Sequence, residues 1–389
     1  MFMKKLFFVT VILLCFFANK TLAQTINGFV FEDLNKDGIK QNNEPGIKGV
    51  AVSDQVNIVR TDEKGFYQID NKGFGIIFIS LPSDYSTKKF WQNISSSPVN
   101  FGLTKTPAPK NFQFIHASDT HISEKTIDRM DKFRAITDSV DPAFVLITGD
   151  LVKDALRVGE KEASGLYELF ISESRKIKST QWLVPGNHEL FGIERMSSLV
   201  SPQNPLYGRK MYRHYLGPDY YSFNYGGIHF IALNSVDFED LWYYGHIDSV
   251  QLAWLKKDLA LIDTNTTVVT YQHISFYSGA LSMGGYSESG LGRSLERENG
   301  VLEFRHVVSN AVEVISILNR YHYVLALAGH DHARELFRFE GLKTRFDQAA
   351  AVIGPGGFIP PIESPSGVTV YQVTNGVIEE GKFIRLDKK

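Results

Sequence analysis

The chain has 389 residues, 43% of them hydrophobic, which is enough for two domains with sizeable cores. Its formal charge is −2, and no basic block or basic amphipathic helix points to nucleic acid or to a membrane surface. Cys15 is the only cysteine and falls in the leader described next, so disulfide and thiolate chemistry are excluded from the rest of the chain.

Lys4 and Lys5 precede LFFVTVILLCFFA, an apolar run of 13 residues, and NKTLA then ends in the small Ala23. This pattern over residues 1–23 predicts a secretory signal peptide, because the run is too short for a membrane span and is wrongly flanked for one. Its removal takes away Lys4, Lys5 and Lys20, leaving 38 basic against 43 acidic residues. The expected location is the periplasm, or the secreted or cell-surface pool of a bacterium.

Residues 24–105 read as strands. GFVFED, GVAVSD, FYQID and IIFISLP are short, β-branched and aromatic, and Gly, Asn and Asp turns separate them. Between the first two lies DLNKDGIKQNNEPG, where Asp33, Asn35, Asp37, Gly38 and Glu44 match the spacing of an EF-hand loop. An EF-hand needs a helix on each side, and both flanks here are strand-like. Two readings stay open. One is a calcium staple with Asp33, Asn35, Asp37, the Ile39 carbonyl and Glu44 as oxygen ligands; the other is a plain Asx-rich turn. GFVFEDLNKDGIKQNNEPGIKGVAVSD and TDEKGFYQI together resemble the B-like repeats of bacterial surface adhesins, which implies a small β-sandwich serving as a spacer or docking module.

TKTPAPKN carries a Pro-punctuated linker at 106–111. Beyond it, over 112–389, the strand-like runs FQFIHAS, AFVLIT, TQWLV, HFIAL, VVTYQ and YVLALA alternate with helical patterns at 126–140, 249–262 and 307–321. In the last helix Val308, Val312, Ile315 and Leu318 are expected on one face. Such alternation means α/β layers.

Five of these strands run into side chains that bind metals: Asp119 and His121, Asp150, Asn187 and His188, His273, and His330 and His332. In α/β folds the C-terminal strand edge is where sites are built. The set Asp-x-His, Gly-Asp, Gly-Asn-His-Glu, His, Gly-His-x-His, in this order, resembles the calcineurin-like metallophosphoesterases. The N-terminal stretch also resembles the module often attached to exported members of that family. The resemblance implies a four-layer α-β-β-α sandwich with two metals about 3.5–4 Å apart, which activate a hydroxide for attack on a phosphomonoester or phosphodiester. It places Asp119, His121, Asp150 and His332 on one metal, and Asp150, Asn187, His273 and His330 on the other. Asp150 bridges the two. Mixed nitrogen and oxygen donors suit Mn, Fe, Zn or Co. His188 is then the general acid for the leaving alcohol, or else a group that orients a ligand.

His116 and His229 are expected as core residues within strands, and His214, His246, His306 and His322 lack ligand neighbours in the sequence. Two of these last four could reach the site from loops. ALSMGGYSESGLGRSLERENG at 280–300 reads as a mobile loop near the site, where Arg293 or Arg297 could fork onto a phosphate or pair with Glu296 and Glu298. PLYGRKMYRHYLG at 205–217 is a second candidate wall. Leu151 after Gly-Asp removes the tyrosinate ligand of purple acid phosphatases, and GDLVKD lacks the Asp-Arg-Gly of serine/threonine protein phosphatases. The 57 residues after His332 leave no room for the large substrate domain of exported 5′-nucleotidases. The expected substrate is a small phosphoester. The alternatives are a non-catalytic binding or adhesion protein on the same scaffold and a metal-dependent nuclease, the latter disfavoured by the lack of a basic strip.

Overall fold

The computed structural model of the protein describes residues 24–94, 98–279, 297–298, 301–302, 306–354, 356–359 and 362–387. The leader, Arg293 and most of the 280–300 stretch lie outside the described residues, and of Arg297 only the backbone is described.

Two four-stranded sheets build the N-terminal part. One carries Phe66–Asp70, Thr25–Glu32, Phe101–Lys105 and Tyr85–Ser86 in that order; the other carries Ile58–Arg60, Ala51–Ser53, Ile76–Ile79 and Trp91–Asn93. The period-two pattern of TINGFVFE buries Ile26, Gly28 and Val30, while Asn27 and Phe29 between them stay half-exposed. In the Asp33–Glu44 loop, Asp33 accepts the main-chain N–H groups of Asp37 and Gly38, Asp37 accepts that of Ile39, and Glu44 accepts those of Leu34 and Gln41. Both flanks are strand or turn, as the sequence implies.

The C-terminal part holds two six-stranded sheets. The first runs Thr180–Val184, Phe144–Thr148, Phe112–Ala117, Gly367–Thr374 and Val377–Ile378, with Lys382–Arg385 also paired to Gly367–Thr374. The second runs Tyr221–Tyr225, Ile228–Ala232, Thr267–Tyr271, His322–Ala328, Arg345–Gln348 and Glu335–Arg338. Aromatic rings fill the space between the sheets: Trp182 stacks on Phe223 at 3.9 Å, and Phe114 meets Phe230 edge-on at 5.8 Å. The helices Ile127–Val140 and Glu160–Ser174 bury Met130, Phe133, Tyr167 and Phe170 in one cluster with Ile115, Val145 and Ile147 of the first sheet. Ser249–Leu259 and Ala311–Leu318 pack on the second. The result is the four-layer α-β-β-α sandwich.

The final helix departs from its expected face. Val312 is 75% exposed, while Val314, Ile315, Ile317 and Leu318 are buried. The helix begins only at Ala311, and Val308 is spent on a bridge to Gly245. Glu313 and Ser316 share the exposed side with Val312, so the two polar residues set the phase of the helix. The 205–217 segment also differs from the expected substrate wall. It forms the helix Arg209–Leu216, in which Arg209 is held between Asp237 and Asp248 and Arg213 grips Asp219 with two bonds of 2.7 and 3.0 Å. Its residues do not line the cleft described below.

The N-terminal sandwich shares its core with the catalytic sheets. Phe78, Phe101 and Leu103 belong to one apolar cluster with Phe223, Trp254 and Tyr271. Asn224 donates its main-chain N–H to the Leu81 carbonyl at 2.8 Å, and the Trp254 indole N–H donates to Ser53 Oγ at 3.1 Å. A spacer on a free linker would not be welded in this way.

Candidate metal centre

Strands Phe112–Ala117, Phe144–Thr148 and Thr180–Val184 are parallel, as are Thr267–Tyr271 and His322–Ala328. Their C-terminal ends therefore open on one edge, and the chain must turn there at once. It does so under strain. Asp119, His121, Asp150, His330 and His332 all have left-handed backbone, with φ of 55, 38, 49, 79 and 52°. Each such residue costs on the order of 1–3 kcal/mol, and five gathered on that one edge are the kind of cluster found at functional sites. A side chain at residue 186 would clash, since a Cβ would stand 2.2 Å from Asp150 Oδ1. Glycine there lets the Asn187 loop close on Asp150.

Two donor clusters result. In the first, His332 Nε2 lies 3.2 Å from Asp119 Oδ1 and 3.2 Å from His121 Nε2, which is 3.5 Å from Asp150 Oδ2. In the second, His273 Nε2 lies 3.3 Å from Asp150 Oδ1, 3.2 Å from Asn187 Oδ1 and 3.1 Å from His330 Nδ1. Asp150 thus gives one oxygen to each cluster. All seven expected ligand residues meet here.

The donors suit divalent metals. His273 Nδ1 faces the Thr148 carbonyl at 2.7 Å and so carries the proton, which turns the lone pair of Nε2 toward the cluster. Asp119 is fully buried, and among the described residues its Oδ1 is approached only by the His332 and His121 imidazoles. Burial works against both buried carboxylates, but His332 holds Asp119 well below the usual range, and His273 and His188 do the same for Asp150. Burial opposes a charge on His273 too, yet Asp150 and Asp119 lift it to about 9. The field that favours this proton would favour a cation. His330 is pushed down to about 3 by burial and then by His273, and His121 to about 4 chiefly by burial, so both stay neutral and able to bind a metal.

His188 stands over the first cluster, its ring 4.6 Å from that of His121 and its Nε2 3.8 Å from Asp150 Oδ2. The Lys153 carbonyl accepts from His188 Nδ1 at 2.6 Å, and the main-chain N–H of His188 donates to Asp150 Oδ1 at 3.0 Å. The centre floors an open cleft of about 580 Å³, lined also by Lys125, Lys153, Tyr243 and His306.

A family model for calcineurin-like phosphoesterases matches residues 112–334. The chain belongs to the calcineurin-like phosphoesterase family. That family is one of metal-dependent phosphoester hydrolases, and it uses two metals. The model of the N-terminal domain of calcineurin-like phosphoesterases matches residues 34–114. A stretch of 62 residues is 45% identical to the serine-aspartate repeat-containing protein F of Staphylococcus epidermidis; it covers 14% of this chain and 4% of that protein. Among solved structures, a dimetal phosphatase of Danio rerio is similar over 71% of this chain and 99% of its own, at 14% identity and a TM-score of 0.44. GAP50, the anchor in the inner membrane complex of Plasmodium, is similar over 72% of this chain and 85% of its own, at 15% identity and a TM-score of 0.44.

Two residues of this phosphoesterase carry roles that sequence reasoning missed. Glu189 is fully buried and accepts main-chain N–H groups from Leu151, Val152 and Gly186 at 2.8, 3.0 and 2.6 Å, clipping the Asp150 loop to the Asn187 loop. Burial and then Asp150 raise it to about 8. Its place in Gly-Asn-His-Glu was the available signal. His306 is one of the histidines without ligand neighbours in the sequence that could reach the site from a loop, and the structure brings it there: its Nδ1 lies 3.3 Å from Asp331 Oδ1 and its ring 5.0 Å from that of His330. The bridge from Ser275 to Val307 brings it there, and no local pattern announces that. His116 and His229 are buried core residues bonded to Thr148 and Asp258, as expected.

Proposed function

We propose that the protein is an exported phosphoesterase that hydrolyses a small phosphomonoester or phosphodiester. Asp119, His121, Asp150 and His332 would hold one metal, and Asp150, Asn187, His273 and His330 the other. The observation that carries this reading is the division of the Asp150 carboxylate, with Oδ2 3.5 Å from His121 Nε2 and Oδ1 3.3 Å from His273 Nε2. Two bound metals neutralise phosphoryl oxygens and make water nucleophilic near neutral pH. The nitrogen and oxygen donors favour Mn, Fe, Zn or Co.

The chain supplies the rest. Lys153 fixes the His188 ring through its main-chain carbonyl, so Nε2 is presented to the cleft and can give a proton to the departing oxygen. Glu189 keeps the Asp150 and Asn187 loops in register. The signal-like leader and the stretch similar to a staphylococcal surface protein support export. We read residues 24–105 and 112–389 as two units joined at 106–111, and the Asp33–Glu44 loop as serving structure only. A nuclease reading has less support, because Lys125 and Lys153 are the only lysines or arginines along the described cleft.

The test is hydrolysis of p-nitrophenyl phosphate and bis(p-nitrophenyl) phosphate by metal-stripped protein reloaded with each metal in turn. Restored turnover with one or more transition metals, at about two ions per chain, is expected. Failure with both esters and every metal would overturn the reading.

A further inference from the structure

We infer that the favoured substrate is a phosphodiester or phosphoanhydride whose departing half carries its own negative charge, such as a second phosphate or a carboxylate, and that Lys125 and Lys153 receive it. The inference rests on the reading of His188 as the acid that meets the leaving oxygen.

The cleft has two unlike ends. Tyr243 and His306 stand at one, their rings 6.2 and 5.0 Å from that of His330. His121 and His188 stand at the other, and the lysines belong there. Lys153 is pinned at both sides of its Cα: its N–H donates to the Ile122 carbonyl at 3.0 Å, and its carbonyl holds His188. Its side chain therefore starts beside the proposed acid. Lys125 lies in the Glu124–Thr126 turn, where the Thr126 hydroxyl donates to the His121 carbonyl at 3.3 Å. Both lysines are exposed and line the cleft, and neither forms an ion pair among the described residues.

The contrast with the rest of the molecule gives this weight. Acidic residues outnumber basic ones in the chain, yet among the described residues Asp150 is the one carboxylate lining the cleft, and it faces the histidines. The guanidinium groups of Arg209 and Arg213, by contrast, are held by aspartates. Two uncompensated ammonium groups at the exit for the leaving group attract an anion there and do little for a neutral alcohol. The reaction is otherwise ordinary hydrolysis. Water gives its oxygen to phosphorus, the bond from phosphorus to the leaving oxygen breaks, and that oxygen takes a proton from His188, which a proton of the water restores.

Phenyl 3-carboxyphenyl phosphate tests this with one molecule, since its two phenols have similar acidity and only one is charged. The metal-loaded wild type is expected to release 3-hydroxybenzoate over phenol by roughly three- to tenfold at low salt, the worth of two exposed ion pairs. The ratio should fall toward one with added salt and in the Lys125→Ala/Lys153→Ala double variant, and Lys153→Glu should push it below one. The corresponding phosphomonoesters give the same comparison through kcat/KM. A wild-type ratio of one or less, or a ratio that the double variant leaves unchanged, overturns the inference while hydrolysis itself stands. No release of either phenol from any of these esters overturns both this inference and the phosphoesterase reading beneath it.

Discussion

The side-chain amide of Gln55 donates to Oδ1 of Asp219 at 2.9 Å, joining positions 164 apart in the chain. The Tyr220 hydroxyl returns a bond to the Gln55 carbonyl at 2.6 Å, and Asp219 also takes Arg213 and the Asn234 amide. A turn of the N-terminal sandwich is thus written into a buried polar network of the catalytic half, and such networks are costly when broken in part. Gln55→Ala is expected to cost about 1–3 kcal/mol, because it leaves Asp219 short of a donor. Asp219→Ala should cost about 3–5 kcal/mol through the stranded Arg213. Both halves should melt in one transition. Calorimetry with a near-ultraviolet probe checks this, and two separated transitions would show that the shared core does not couple them.

Acid should act through the same aspartate. Burial pushes Asp219 up, but the Arg213 guanidinium and then Arg209 outweigh it and hold the carboxyl below its usual value. A group whose folded pKa is depressed stabilises the fold above its unfolded value of about 3.9, and that stability is lost as pH falls through the folded value. Between about pH 5 and pH 3 the Tm of the wild type should therefore fall more steeply than that of Asp219→Asn. Parallel curves would remove Asp219 from the acid response.

The Asp33–Glu44 loop should act on stability and not on rate. Its carboxylates cap main-chain N–H groups inside the loop, and it contributes nothing to the cleft. Asp37→Asn and calcium chelation are expected to leave kcat/KM unchanged once the catalytic metals are resupplied. A calcium-dependent rise in Tm would identify the staple, an indifferent Tm the plain turn. A parallel loss of rate would contradict the separation of loop and site.

The candidate metal-binding set is legible in the sequence because each expected ligand sits two to four residues beyond an apolar strand. Phe112–Ala117 and Phe144–Thr148 stop just before Asp119 and Asp150, and parallel pairing then brings those ends together without further information. His306 was illegible because a long-range bridge places it, not its neighbours in sequence. Val312 lies on the exposed side because Glu313 and Ser316 are there with it, and those two polar residues mark the outer face more firmly than the spacing of the apolar ones marks the inner. The weld between the sandwich and the catalytic sheets was hidden as His306 was. Ser53 and Ser80 sit in strand-like runs and Gln55 in the turn after one, and nothing local to them shows that Trp254, Ser222 and Asp219 are set against them.

Asp150 and His188 adjoin within the site but should answer differently to mutation. Asp150 offers an oxygen to each cluster, so Asp150→Asn should lose both metals together with activity. His188 also falls in a possible donor group with His121 and Asp150, its Nε2 3.8 Å from Asp150 Oδ2, but Nδ1 is taken by the Lys153 carbonyl and the seven other donors meet without it. His188→Ala is therefore expected to keep close to two metals per chain while kcat falls by about 10²–10⁴, the usual worth of a positioned acid. The loss should shrink for good leaving groups such as p-nitrophenolate, which hardly need a proton, and grow along a series of aryl and alkyl esters as the leaving group becomes more basic. Metal analysis beside that series separates the roles. If His188→Ala strips metal as thoroughly as Asp150→Asn, His188 is a ligand. If its rate loss is the same for every leaving group, it orients and does not donate. In either case the dinuclear centre stands, because the remaining donors meet without it.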